Sequence, residues 1–353
     1  MSWIIVFIIL LVTVSLSPII WNGLETFNPS DNYRLPYELS YDYWMFSRWC
    51  KYACSNYSIV MIGDSVVWGQ YVKLKETLPY YLNEYYGKDI SEKQNNKFAN
   101  LGLDGIHPSA MLGLIKYYGK SISNKQVILH LNPLWMSSKK HDLSDTEEFR
   151  FNHPRLVPQF RPKITSYKAK FHQKANIILE RNIPFSSWVN HIRLNYYENM
   201  DIGNWTMQYP YRNPFSAITF QIPEPEDNPH SEPISWIERG MTKQDFSWVS
   251  LDESFQWNFF KKVIKLLQAR KNKVFVIIGP FNPYILTDES LNKYKAIKND
   301  IENWLKSEGI SYASPSDLPS EYYADASHPL NVGYEIIAKE LVETESFKDW
   351  LKN

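Results

Sequence analysis

Two short stretches near opposite ends of the chain hold the residue types of nucleophilic acyl chemistry. Gly63-Asp64-Ser65 follows an apolar run, Tyr57 to Ile62, and Asp325-Ala-Ser-His328 stands just before the last apolar segment. A serine hydroxyl is a weak nucleophile until a base takes its proton, and the base needs an acid to orient its ring. His328 supplies the base. Asp325, three residues earlier in one loop, can reach the ring nitrogen facing away from the serine. Negative charge developing on the attacked carbonyl oxygen also needs donors. Asn100-Leu-Gly102-Leu-Asp-Gly105 and Asn132 offer them: a glycine N–H, an asparagine amide and the Ser65 N–H make a three-donor oxyanion hole. This chemistry needs neither a metal nor a cofactor, and none is expected.

The elements that must bring these residues together alternate along the chain. Short apolar runs at 57–62, 98–101, 126–131, 273–278 and 310–313 read as buried strands, and periodic segments at 76–86, 108–118, 256–269, 289–306 and 332–342 read as helices. Continuous apolar strands alternating with helices predict an α/β fold, a parallel sheet covered on both faces. In such sheets ligands bind beyond the carboxyl ends of the strands, where Ser65, Gly105 and Asn132 all fall. Between the two halves, residues 136–251 break the alternation with prolines and aromatic rings. This long insertion is expected to hold helices at about 166–181 and 185–199, with 209–233 irregular.

In this order the residues resemble the SGNH (GDSL) hydrolase family. Gly63-Asp-Ser65 is similar to its first block, Asn100 to Gly105 to its second, Asn132 to its third and Asp325-x-x-His328 to its fifth. The resemblance covers about 57–135 and 255–345. It implies a three-layer, flavodoxin-like fold, Ser65 as nucleophile, His328 as base, Asp325 as orienter, and Gly105 and Asn132 as oxyanion donors with Ser65. One departure is clear: the third block usually reads Gly-x-Asn-Asp, whereas this chain reads His130-Leu-Asn132-Pro133. Asn132-Pro-Leu-Trp135-Met, taken with the N-terminal segment and the insertion, also resembles a narrower group, the membrane-tethered members acting on cell-envelope polymers. D-alanine transfer proteins of teichoic acid modification and alginate O-acetylation proteins belong to that group.

Residues Trp3 to Trp21 carry no charge and have tryptophan at each end. A run of about 20 such residues spans a bilayer, and no basic n-region or small-residue cleavage site marks it as a removed signal. The chain therefore divides into an anchor at 1–21, a linker and approach segment at 22–55, and a hydrolase-like domain at 56–353. Glu25 and Asp31 follow the span, which favours an N-terminus in the cytoplasm and the domain outside. Lys+Arg 38 against Asp+Glu 38 leaves no basic footprint for nucleic acid. Two cysteines exclude a disulfide scaffold; Cys50 and Cys54, spaced i, i+4, read equally as a local bridge or as two thiols. His141, His153 and His172 lack metal-ligand spacing and are expected in solvated loops.

Aromatic residues make up 16% of the chain, many of them in the insertion, where they serve as core or as sugar-stacking platforms. Trp68 and His107 are the candidate substrate contacts, with helix capping as the plainer role for His107. Together these features predict a single-pass membrane-anchored serine esterase or O-acyltransferase. Its substrate would be an acylated carbohydrate of the cell envelope or another acyl ester, and an acyl-donor membrane protein is a candidate partner. The competing expectations are a catalytically inactive carbohydrate-binding or assembly protein on the same fold, and a lipase-like esterase.

Overall fold

A computed structural model describes residues 2–86, 97–145 and 152–352; residues 146–151 of the insertion lie outside them. Among the described residues five strands form one sheet: β1 (Ile59–Gly63), β2 (Phe98–Gly102), β3 (Gln126–Leu131), β4 (Lys273–Ile278) and β5 (Ser311–Ala313). Every pairing is parallel, in the order β2-β1-β3-β4-β5. This is the flavodoxin-like order, and its direction reverses between β1 and β3, the point beyond which ligands bind in sheets of this kind. The α/β class and the five strands agree with the pattern of apolar runs.

Successive strand residues point to opposite faces, so each apolar run feeds two cores. Val60, Ile62, Val127, Leu129, Val274 and Val276 pack with α2 (Tyr43–Asn56), α5 (Pro108–Tyr117) and α9 (Phe255–Ala269). Ile59, Met61, Ile128, Phe275 and Ile277 pack with α4 (Leu78–Tyr86), α11 (Asn331–Glu343) and α12 (Glu345–Lys352). A one-turn helix α3 (Ser65–Trp68) follows β1, and α10 (Asp288–Ser307) flanks β5.

Within the segment expected as a linker and approach to the core, 22–55, a helix joins the core. Helix α2 starts at Asp42, whose carboxylate accepts the Met45 N–H at 3.0 Å, and it buries Met45, Phe46, Trp49, Cys50 and Ala53. Those positions recur at helical spacing, a pattern that the flanking prolines and charges obscure. The Trp49 indole N–H reaches the Asn100 carbonyl at 2.8 Å, tying α2 to β2. Cys50 and Cys54 are two free, buried thiols, and burial pushes both above the ordinary thiol range.

Helix α1 (Ser2–Leu24) is long and apolar enough to cross a membrane. The insertion folds around its C-terminal end. Helix α6 (Phe171–Asn182) leads into α7 (Pro184–Tyr196), and a short α8 (Ile202–Gln208) follows. The Trp21 ring meets Trp188 at 5.7 Å, Tyr196 at 5.9 Å and Phe220 at 4.9 Å between centroids. Just beyond, buried Glu25 accepts hydrogen bonds from Tyr196 Oη at 2.5 Å and His191 Nε2 at 2.8 Å, and it also pairs with Arg48. The other His191 nitrogen, Nδ1, lies 2.6 Å from Asp42 Oδ2. Burial alone would lower the His191 pKa, but the two carboxylates outweigh it and raise the group to about 9.

Candidate active site

Ser65 stands at the start of α3, immediately beyond β1. Its position depends on Gly63: a Cβ there would come within 2.3 Å of Val67 Cγ2 and 2.8 Å of His130 Cβ, so no side chain fits between strand and helix. Asp64 caps α3, its Oδ1 accepting the Val66 N–H at 3.1 Å.

The structure brings Ser65, His328 and Asp325 together. His328 Nε2 lies 2.8 Å from Ser65 Oγ, and His328 Nδ1 lies 2.8 Å from Asp325 Oδ2 and 2.9 Å from Oδ1. Asp325 Oδ1 also accepts the backbone N–H groups of Ser327 at 2.9 Å and His328 at 3.0 Å, which fixes the loop before α11. Asn282, beyond β4, donates to the Asp325 carbonyl at 3.1 Å and steadies the loop from the sheet side. Burial would raise the Asp325 carboxyl, but His328 and the two backbone donors hold it well below the usual carboxylate range. Burial likewise opposes charge on His328, and Asp325, Asp64 and Asp104 together raise it above the ordinary imidazole value. A base with its proton acceptor aimed at a hydroxyl, and its other nitrogen held by a carboxylate, is the arrangement that proton abstraction from serine requires.

Of the expected oxyanion donors, Asn132 is held by Asp64, the residue before Ser65. Asn132 follows β3; its Oδ1 accepts the Leu134 N–H at 3.0 Å, which orients the amide, and its Nδ2 donates to Asp64 Oδ2 at 2.8 Å. The Trp135 indole N–H donates to the same Oδ2 at 2.9 Å, and His130 Nδ1 lies 3.4 Å from Oδ1. Burial would raise the Asp64 carboxyl, but His130, His328 and Asn132 outweigh it and lower its pKa. Gly105 turns the loop after β2 with φ +63, and a Cβ there would lie 2.6 Å from Asn152 Nδ2.

That loop is pinned by the insertion through histidines. His153, expected in a solvated loop, is buried: Nε2 faces the Asp104 carbonyl at 2.6 Å and Nδ1 the Tyr43 hydroxyl at 3.1 Å. Such partners suit a neutral ring, Nε2–H donating and Nδ1 accepting, and burial pushes its pKa down to about 4.

His107, a candidate substrate contact, is instead the buried cap of α5. Its Nδ1 accepts from Ala110 N at 3.4 Å and lies 2.9 Å from Ser109 Oγ, while Nε2 faces the Asn152 carbonyl at 3.2 Å. Burial and the neighbouring His153 push it down to about 3. Trp68, the other candidate, is also corrected: only 2% exposed, it donates its indole N–H to the Leu35 carbonyl at 2.7 Å beneath the Arg34 guanidinium at 4.2 Å. Each serves as structure beneath the site rather than as its lining.

Three polar groups at the site carry no clear sequence signal. Tyr71 donates its hydroxyl to Asp325 Oδ2 at 3.1 Å, and its ring lies 4.8 Å below the Arg239 guanidinium. Asp104 adds a carboxylate near His328, its own pKa raised by burial and by Asp64 against the pull of His328 and His230. His130 stands where the resemblance predicts glycine. Among the described residues no group of three or more His, Cys, Asp or Glu could hold a metal ion.

No family model and no curated protein matches the chain. Among solved structures it is similar to a member of the lipolytic protein G-D-S-L family from Veillonella parvula, at 10% identity and a TM-score of 0.38, over 82% of this chain and 97% of that one.

Proposed function

We propose that this chain is a membrane-anchored serine hydrolase or acyltransferase of the SGNH type, working through an acyl-enzyme on Ser65. The observation that carries this reading is the continuous relay from Ser65 Oγ through His328 to Asp325, with 2.8 Å on each side of the ring.

The chemistry proceeds in two halves. His328 Nε2 takes the Ser65 proton as Oγ attacks the carbonyl carbon of an acyl ester. The resulting oxyanion is met by the Ser65 and Gly105 N–H groups and by Asn132 Nδ2, and the Asp325 carboxylate stabilises the imidazolium. Collapse of the tetrahedral intermediate breaks the ester C–O bond, and His328 returns the proton to the departing alcohol. Water, or a sugar hydroxyl, then gives its proton to His328 and attacks the acyl-Ser65 carbonyl; the acyl–Oγ bond breaks, His328 returns the proton to Ser65 Oγ, and the acid or a new ester is released.

The carbohydrate substrate and the extracytoplasmic location are supported by separate features. A long apolar α1 precedes the domain, acidic Glu25 and Asp31 follow it, and the insertion between the two halves of the motif set is rich in aromatic residues. The test is turnover of a short-chain aryl ester by the full chain in detergent. Ser65→Ala should lose at least about 10³-fold in kcat, and a sugar acceptor added to wild type distinguishes transfer from hydrolysis by its acylated product. A folded Ser65→Ala variant as fast as wild type overturns the proposal.

A further inference from the structure

The whole chain is charge-balanced, yet residues 155–181 hold seven Lys and Arg against Glu180 alone. Helix α6 ends this basic stretch, and it buries none of its side chains. Phe171 at its start is 75% exposed, and Phe160, packed 5.5 Å from it, Leu179 and Ile183 are exposed as well. A helix with apolar residues open to the outside and cations around them is the pattern of a segment lying on an anionic bilayer surface.

The position of this helix relative to α1 argues for the same surface. Helix α7 packs against both α1 and α6. Its Trp188 meets Trp21 at the foot of α1 and Phe185 at 5.2 Å on the other side. The joint is fixed by the buried Glu25, His191, Asp42 and Arg48 cluster, and by the bridge from Thr26 to Gln221 as the chain leaves α1. A second exposed apolar group, Met207 at 73% on α8, stands next to the Trp205 cluster that Trp21 also joins.

We infer that the α6 arm of the insertion is a membrane-surface element, seated on anionic headgroups of the bilayer that α1 spans and dipping Phe171 and its apolar neighbours below them. This rests on α1 being a membrane anchor, as proposed above. The occupant of the surface is lipid, because α7 ties α6 to the end of α1 and cations outnumber Glu180 seven to one along 155–181. The active-site domain is then held at a set tilt above the membrane instead of swinging on a tether.

Spin labels at Phe171→Cys and Met207→Cys, with Leu11→Cys and Asn292→Cys as references, test this in the full chain; native Cys50 and Cys54 are buried and leave the background clean. In phosphatidylglycerol–phosphatidylcholine vesicles, labels at 171 and 207 should relax with oxygen rather than with aqueous nickel, like Leu11 and unlike Asn292. In pure phosphatidylcholine the label at 171 should move toward the aqueous value. Water-like labels at 171 and 207 beside a lipid-embedded Leu11 overturn the inference and leave the anchor intact. A water-exposed Leu11 overturns the anchor and the inference together. Equal burial of position 171 in both lipid mixtures overturns the anionic specificity, and spin–spin broadening at 171 would put a second copy of the chain on the face.

Discussion

Asp64, the residue before Ser65, accepts a hydrogen bond from the side-chain amide of Asn132 at 2.8 Å, although the two lie on different strand ends. The carboxylate thus joins the turn that presents Ser65 to the expected oxyanion donor, and Trp135 and His130 hold it from the other side. Shared positioning of this kind holds Asn132 and the Ser65 turn in one geometry, as the proposed chemistry requires before substrate arrives.

The first prediction follows. Asn132→Ala should lower kcat by about 10²–10³-fold with little change in KM, because the donor acts on charge that develops in the transition state. Steady-state kinetics on an aryl ester checks it. An unchanged kcat would remove Asn132 from the oxyanion hole.

A second prediction concerns pH. His328 must be neutral to act as a base, and it is raised above the ordinary value near 6.5 by Asp325, Asp64 and Asp104 against the opposing effect of burial. The acid limb of kcat/KM should therefore lie above that value. Asp104→Asn removes one of the negative charges that favour the imidazolium, so its acid limb should move to lower pH. A limb that stays in place, or moves up, contradicts the assignment.

Much of this site is visible in the sequence because it is local. Gly63-Asp-Ser65 and Asp325-x-x-His328 each sit in one turn, and the apolar runs that become β1 to β5 are continuous. What sequence cannot show is tertiary. The role of Trp68 depends on Leu35 and Arg34, more than thirty positions upstream, which cover it. Helix α2 hides its apolar face among charges and aromatic rings, and Tyr71 and Asp104 acquire meaning only when the Asp325 loop folds over them. His153 is neutral and buried because segments far apart in sequence supply Tyr43 and Asp104 as its two partners.

A third prediction tests the packing behind Ser65. Gly63→Ala should destabilise the fold by about 1–3 kcal/mol, because the added methyl overlaps Val67 and His130. Gly23→Ala, where a methyl meets nothing within 4 Å, is the control. Equal thermal midpoints for the two variants would contradict the close approach of α3 to the sheet.

The fourth prediction addresses the joint below α1. His191 is raised to about 9 in the folded chain against about 6.5 unfolded, so its stabilisation is complete below 6.5 and is lost as pH rises through 9. Wild type should lose stability over that interval, while His191→Gln, weaker at pH 6 by about 3–5 kcal/mol because Glu25 and Asp42 lose the cation between them, should show a flatter profile. Thermal melts in detergent at pH 6 and pH 9.5 measure this. Parallel profiles would mean that His191 is not the charged centre of the cluster.

The most direct test of the proposed chemistry is covalent labelling by a fluorophosphonate probe, which requires a serine activated by a base. Peptide mapping of the labelled full chain should find the adduct on Ser65, with none in Ser65→Ala and a sharply reduced rate in His328→Ala. A folded wild-type chain that takes no label, or one labelled at another residue, would contradict the assignment of Ser65 as the nucleophile.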